Sequence, residues 1–505
     1  MNKTRFKSNR YAAIVALLIA MFALSPLAMA QEPQGYAEVI DDVLTFYWDA
    51  DRDSRTGKTY SIPGLYQRPA WSGTDTAPNE STTKVVFDPS FINCEIQGCY
   101  DWFRQCTKLT TIEGLEYLNT SKACTMEYMF SCCTSLKSID LSHFDMSSVE
   151  NTNYMFYNCT SLESVDLSGT NMVKATTMEG MFKNCTSLKT VNFANCNTSN
   201  VTRMNGTFYG CSSLTTLDLS QLDTSNLERI NDIFYGCSSL TELDMSTFDI
   251  SKVTTMENTF RDCTSLVSLN TKSLSANNLK NLNNTFYNCK SLKSLDLRNF
   301  NKAPAFMQAT FYGCESLEDI NLNTVRLWYA NYLNDLFNGC KSLKELDLPD
   351  GPYNAKDVSN MFRDCTSLTT IYISNIGWDF RSTPTSDNMF LNCTSLKGAV
   401  AYNASKTDLS MANFTTGYLT SLAEKQIYGV ESNGVLTLYY DRESGNRTGT
   451  VNIDPTDNSV PGWAGTEDNP NTTVTKVVFD KSFSKCQPTK TCYWFCYLYR
   501  GSHGR

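Results

Sequence analysis

A phenylalanine, a cysteine three positions later and a leucine three beyond that recur twelve times between Phe103 and Leu396. The series opens at Phe103-Cys106-Leu109, continues through Phe130-Cys133-Leu136 and Phe156-Cys159-Leu162, and closes at Phe390-Cys393-Leu396. Successive phenylalanines lie 25 to 28 residues apart, most often 26. Such a short, constant period marks stacked repeats. Ordering one repeat costs roughly 1–2 kcal/mol per residue in backbone entropy. Its handful of apolar side chains returns about 1.5–3 kcal/mol apiece. A single coil therefore cannot fold, whereas neighbours bury each other's apolar layer.

Within a repeat the hydrophobic period changes. From Met126 to Cys133 apolar residues fall at three- and four-residue steps, which predicts a short helical segment. From Ser138 the pattern alternates through Ile139, Asp140 and Leu141 as in a half-buried strand. A turn-rich stretch, His143 to Ser148, leads to the next repeat. The expected fold class is an α/β repeat solenoid of the leucine-rich-repeat type, curved, with about eleven coils of 25–28 residues. It places a parallel sheet on one side and short helices on the other.

A longer repeat frames the shorter one. Val43-Leu44-Thr45-Phe46-Tyr47 returns as Val435-Leu436-Thr437-Leu438-Tyr439, and Arg55-Thr56-Gly57 as Arg447-Thr448-Gly449. Trp71 returns as Trp463, Lys84-Val85-Val86-Phe87-Asp88 as Lys476-Val477-Val478-Phe479-Asp480, and Trp102-Phe103 as Trp494-Phe495, all offset by 392 residues. The expected organisation is a β-rich capping unit at 31–93, the repeats at 94–402, a closing segment at 403–426 and the start of a second module at 427–498. Beyond Phe495 the correspondence stops, and 499–505 reads as a truncated or frame-shifted tail.

Residues 1–30 read as an export signal. Lys3, Arg5, Lys7 and Arg10 precede an apolar run from Tyr11 to Leu24, and Ala28-Met29-Ala30 supplies a cleavage pattern before Gln31. The run is shorter than the roughly 20 residues a membrane-spanning helix needs, no second apolar span follows, and no cysteine adjoins the cleavage point. The expectation is a secreted product without a transmembrane span. A formal net charge of -9 argues against nucleic acid as a partner. Only His143 and His503 are present, and phosphate loops, zinc-spaced histidines and nucleophile elbows are lacking. The chain is expected not to be an enzyme and to need no cofactor or metal.

The Met-Phe-x-x-Cys-Thr-Ser-Leu-x-x-Leu-Asp-Leu-Ser pattern is carried by Met181-Phe182-Lys183-Asn184-Cys185-Thr186-Ser187-Leu188 and by Leu214 to Ser220. It resembles the BspA-like leucine-rich-repeat surface proteins of bacteria. The opening unit, with Leu44-Thr45-Phe46-Tyr47 and Val85 to Phe91, is similar to the segment that precedes such repeats in the Bacteroides and Prevotella group. The resemblance implies a cell-surface role, with adhesion to host matrix proteins or to other bacteria, and carries over no catalytic residues. The alternatives are a structural spacer without a ligand of its own and a glycan-binding surface protein.

Three residue sets invite a chemical reading. The cysteine ladder lies on the apolar face with Phe and Leu, so buried free thiols are expected over disulfides or metal. Cys94 with Cys99, and Cys486 with Cys492, stand outside the ladder and are candidates for local bridges. Asp140, Asp166, Asp218, Asp244, Asp296 and Asp347 share the outward position of the strand, flanked by Ser138, Ser164, Thr216 and Ser294. This acidic row on the concave face either meets a basic partner or calcium, or simply keeps the face soluble. Trp328, Tyr329, Tyr332, Tyr353, Tyr372 and Trp378 gather where the period becomes irregular. They either form a ligand-binding patch, since Trp and Tyr dominate binding hot spots, or plug gaps left by coils of unequal length.

Overall fold

A computed structural model describes residues 31–271, 274, 276–300, 304–322, 324–348, 351–373, 378, 380–421, 426–441, 447–448, 450–452 and 474–480. Residues 1–30, expected as an export signal, and Cys486, Cys492, Trp494 and 499–505 lie outside these residues. The chain divides into two compact units, 1–420 and 421–505.

The first unit begins with four strands: β1 (Gln34–Ile40), β2 (Val43–Asp49), β3 (Lys58–Ser61) and β4 (Lys84–Phe87). The strand of the first repeat, β5 (Thr111–Glu113), completes a sheet of order β3-β1-β2-β4-β5. β1 pairs antiparallel with β2 and β3, whereas β2–β4 and β4–β5 are parallel. The opening unit thus presents β4 as the strand on which the repeats continue. Arg55 locks its hairpin, ion-paired to Asp49 at 2.7 Å, hydrogen-bonded to the Tyr36 hydroxyl and lying 3.7 Å from the centre of the Tyr47 ring.

Nine of the eleven later repeats each contribute one short strand at the alternating position predicted for it. These are β6 (Ser138–Asp140), β7 (Ser164–Asp166), β8 (Thr190–Asn192), β9 (Glu242–Asp244), β10 (Ser268–Asn270), β11 (Ser294–Asp296), β12 (Asp319–Asn321), β13 (Glu345–Leu348) and β14 (Thr370–Ile373). Neighbours pair parallel with equivalent residues opposite, as in Ile139 beside Val165 and Val165 beside Val191. A further strand, β15 (Leu419–Ser421), pairs at the far edge of β14. The central residue of each three-residue strand from β6 to β12 is buried and its two neighbours are more exposed. A second column of parallel bridges joins Thr125, Asn151, Thr177, Arg203 and Arg229 in successive repeats, and another runs from Thr255 to Thr385.

The segment expected as a short helix is instead a run of turns; no described residue is α-helical. Its amides alternate in destination. Met126, Tyr128, Phe130 and Cys132 donate to carbonyls of the following coil at 2.7–3.1 Å, whereas Met129, Ser131 and Cys133 donate three residues back at 3.0–3.2 Å. Two residues per coil, here Tyr128 and Cys132, take the left-handed conformation with φ of 56° and 61°. That reversal aims every second N–H along the stack. A helix would satisfy its own amides and hold neighbours about 8–10 Å apart. The turns allow the close spacing that the strands impose on the other side, roughly 4.8 Å.

The phenylalanines of the repeat form one continuous column. From Phe103 to Phe390 neighbouring rings stack at centroid distances of 5.3–5.9 Å. Trp102 and Phe46, parallel at 5.5 Å, lie at its first end beside Phe87. Tyr418 meets Phe390 edge-on at 5.4 Å at the other. Beside the rings runs the thiol column. Each Cys Sγ, from Cys133 to Cys393, donates to the phenylalanine carbonyl of the preceding coil at 2.9–3.2 Å. All described cysteines are free, including Cys94 and Cys99, so the local bridge proposed for that pair is not formed. Each ladder thiol instead gives a second hydrogen bond to a buried carbonyl that already accepts the amide three residues on, as Phe130 does from Cys133.

In the second unit β16 (Gln426–Ser432), β17 (Val435–Asp441), β18 (Thr450–Asn452) and β19 (Lys476–Phe479) form a sheet of order β18-β16-β17-β19. Val435 opposes Lys476 as Val43 opposes Lys84. Arg447 lies 3.7 Å from the Tyr439 ring centre, as Arg55 does from Tyr47.

Two outcomes follow from the columns. Truncating a mid-stack ring, Phe234→Ala, is expected to cost about 3–5 kcal/mol, read as a lowered urea midpoint. Burial pushes the Cys106, Cys237, Cys314 and Cys393 thiols up from 9.0 to about 12. The folded state keeps protons that the unfolded chain releases near pH 9, so stability falls as pH rises through that value. Melting temperatures should decline above about pH 9, and iodoacetamide should label the ladder only in denaturant. Labelling of ladder cysteines in the folded chain at neutral pH, as distinct from the half-buried Cys124, would contradict the buried ladder.

Candidate functional site

The outward Asp of each strand sits where the chain leaves the sheet, and its carboxylate closes the turn that follows. Asp140, Asp166, Asp218 and Asp244 accept the amide of the serine two residues on at 2.8–2.9 Å, and Asp296 accepts that of Arg298 at 3.1 Å. The hydrogen bonds from Ser220 and Ser246 hold Asp218 and Asp244 below the usual carboxylate range. Asp218 and Asp244 thus serve the backbone as carboxylates while they face solvent.

Regular pairing lapses between β8 and β9, between β10 and β11 and between β12 and β13. Thr216-Leu217-Asp218 occupies the strand position of its coil without forming a strand, and a cleft of about 740 Å³ opens over 216–296. Leu217, Leu243 and Leu269 form its floor. Asp218, Glu242, Asp244 and Asp296 line it together with the hydroxyls of Thr216, Ser268 and Ser294. The structure therefore gathers three of the six aspartates expected from the sequence and leaves Asp140, Asp166 and Asp347 outside the cleft. Glu242 and Asn270 are additions. Both hold outward strand positions, so alternation alone could have found them, whereas nothing in the repeat pattern marks where the pairing lapses. Asn270 donates to Asp244 at 2.9 Å, and Arg298 ion-pairs with Asp296. Among the described residues no group of three or more His, Cys, Asp or Glu is placed to hold a metal ion.

The six aromatic residues separate. Trp328 and Tyr353 stack at 4.5 Å with planes 9° apart, and the side-chain amide of Asn354 donates to the Trp328 carbonyl at 3.0 Å. Tyr329 beside them is 61 % exposed. Tyr332 stacks on Phe306 at 5.9 Å, and Phe306 is itself 39 % exposed. Tyr372 lies on β14 directly opposite Asp347 of β13. Trp378 belongs to the interior: it is 8 % exposed, against Phe362 and Phe380. Trp378 therefore fills space in an irregular coil, while Trp328, Tyr329, Tyr332 and Tyr353, joined by Phe306, reach the surface of adjacent coils. Trp378→Ala is expected to destabilise the fold by about 3–5 kcal/mol and Trp328→Ala by less than half as much, measured by chemical unfolding. Equal losses would place both rings in the core.

Residues 94–193 and 176–300 match the family described as Mycoplasma protein of unknown function, DUF285. Residues 281–417 match the BspA type leucine rich repeat region. No curated protein matches the chain. Among solved structures, a leucine rich cell surface protein of Faecalibacterium prausnitzii is 18% identical, over 67% of this chain and 93% of its own, with a TM-score of 0.31. A leucine-rich repeat protein of Bacteroides ovatus is 17% identical over 70% and 97%, with a TM-score of 0.26. One of Eubacterium ventriosum is 15% identical over 68% and 91%, with a TM-score of 0.29. The later coils, residues 281–417, are thus BspA-type leucine-rich repeats, and the Phe-Cys-Leu pattern they carry runs back through the earlier coils.

Proposed function

We propose that the chain is a secreted, cell-surface binding protein whose repeats form a solenoid of about eleven coils and grip a protein partner, such as a host matrix protein or a surface protein of another bacterium. The observation that carries this reading is the cleft over 216–296, where four carboxylates of one sign stand above a leucine floor. An apolar floor with convergent polar groups is the usual make-up of a binding site. The uniform charge selects a basic partner and disfavours nucleic acid. The exposed rings around Trp328 and Tyr353 supply a second contact of the kind that dominates binding energy. The chemistry is recognition and not catalysis, and it calls on no cofactor. Among the described residues no helix is long and apolar enough to cross a membrane.

The organisation into a capping unit at 31–93, repeats at 94–402, a closing segment at 403–426 and a second module from 427 is part of the same proposal. It is supported by the strand pairing shared at an offset of 392 residues. A spacer that merely carries another domain is the second reading, favoured by the unbroken phenylalanine column.

The test is biolayer binding of the full chain to extracellular-matrix proteins and bacterial surface extracts at physiological salt. The expected result is saturable binding that weakens as salt rises, and that falls at least about tenfold in Asp218→Asn/Asp244→Asn and in Trp328→Ala. Absence of saturable binding by a folded chain would leave the spacer reading. Binding that only neutral sugars compete away would reassign the rings to glycans.

A further inference from the structure

Four tyrosines from the opening unit and the first coils form a separate surface. Tyr66 meets Tyr100 at 6.0 Å and 66°, Tyr100 meets Tyr128 at 6.4 Å and 90°, and Tyr128 stacks on Tyr154 at 5.1 Å and 6°. Tyr154 lies over Gly180, where an added Cβ would come within 2.4 Å of the ring. Tyr66 is 57 % exposed and the other three are half-buried.

Three of these tyrosines occupy left-handed backbone: Tyr66, Tyr128 and Tyr154 have φ of 55–56°. A bulky side chain is disfavoured there, whereas Gly, Asn and Asp tolerate it. The chain itself shows what the backbone prefers. The position of Tyr128 and Tyr154 holds Asp101, Gly180, Gly206, Asp232, Asn258, Asn284, Ala309, Asp335, Asn360 and Asn388 in the other coils, every one at positive φ. Leu65-Tyr66 corresponds to Asp457-Asn458 at the offset of 392. Among the described coils a bulky residue takes this column position only at Tyr128 and Tyr154, where the rings meet on one surface. Stacking of coils alone does not require it, since the remaining coils stack without it.

The surroundings indicate the ligand. Burial raises the Tyr66 and Tyr128 hydroxyls, with Glu127, the residue before Tyr128 in the chain, adding to both and Glu150 to Tyr66. Burial pushes the Glu127 carboxyl up, and nearby Asp101 adds to it. One ring already receives a cation: the Arg104 guanidinium lies 4.9 Å from the centre of Tyr128, held by Asp75 and Asp101. Rings at right angles flanked by carboxylates suit a cationic side chain.

We propose that Tyr66, Tyr100, Tyr128 and Tyr154, with Glu127 and Glu150, form a second binding surface for a lysine- or arginine-bearing peptide segment of a partner protein. The surface is independent of the cleft over 216–296 and stands whether or not that cleft binds. It is tested by isothermal titration of the full chain carrying Asp218→Asn and Asp244→Asn, which lowers the charge of the cleft, with an oligolysine decapeptide at physiological salt. Saturable binding is expected to weaken at least about tenfold in Tyr66→Asn and in Glu150→Gln. It is expected to be unchanged in Glu318→Gln, the same charge change on a later coil. Tyr128→Asn is expected to bind weakly while its melting temperature holds or rises, because the strained residue is relieved. Three results would each overturn the proposal: no saturable binding, an equal loss in Glu318→Gln, or a Tyr66→Asn chain that binds as tightly as the unaltered one. Titration with cellohexaose in place of oligolysine would, if only it bound, assign the rings to sugar instead.

Discussion

The spacing between coils is set twice in each repeat, and the two settings must agree. On one side it is fixed by parallel strands, on the other by alternate amides of the turn run donating to the next coil. Between them the phenylalanine rings stack at 5.3–5.9 Å, a separation compatible with both. A longer spacing would break the amide bonds, and a shorter one would overlap the rings. Every other feature of the repeat is subordinate to this agreement. The cysteine is small enough to fit beside the ring and still donates to the carbonyl of the coil before it.

Left-handed backbone is the local means to that end. Two residues per coil reverse the curl so that every second N–H points along the stack, which a helix cannot do. This explains why the apolar spacing of Met126 to Cys133 misled: three- and four-residue steps match a helix and a chain of turns equally well. The distinguishing signal is present in the sequence, though not in its hydrophobicity. Asn, Asp and Gly recur two residues before the phenylalanine, at Gly180, Gly206, Asp232, Asn258 and Asn284, and these are the residues that accept positive φ.

What the sequence disclosed of the candidate sites follows the same division. Alternation around Ile139 or Leu243 placed the outward carboxylates, because the side-chain period of a strand is two. It did not disclose which carboxylates share a cleft. The cleft begins at Thr216-Leu217-Asp218, which forms no strand although its residue types match those of its neighbours. Nor did residue type separate Trp328 from Trp378. Both lie in irregular coils, but one stacks on Tyr353 near the surface and the other fills space against Phe362. Irregular spacing creates gaps as readily as it creates exposed patches, and the side that a ring faces decides between them.

A repeat that gives each coil the same neighbours also gives each coil the same surface, so recognition has to come from departures. Departures at the ring, the thiol or the strand centre would break contacts with two neighbours at once, and these columns are kept throughout. Departures at the outward strand position, at the bridge occupied by Phe306 and Tyr332, and at the turn residue occupied by Tyr128 and Tyr154 disturb only one side of the coil. The cleft, the exposed rings and the tyrosine surface all arise at such positions. The tyrosines differ from the other two in one respect. An outward Asp also closes its turn, and Trp328 also packs on Tyr353, so both sit comfortably in the fold that holds them. Tyr128 occupies backbone that costs a bulky residue roughly 1–2 kcal/mol, in a column where the fold is served equally well by Asn or Gly. A residue retained against the preference of its own backbone has its explanation in what the ring meets.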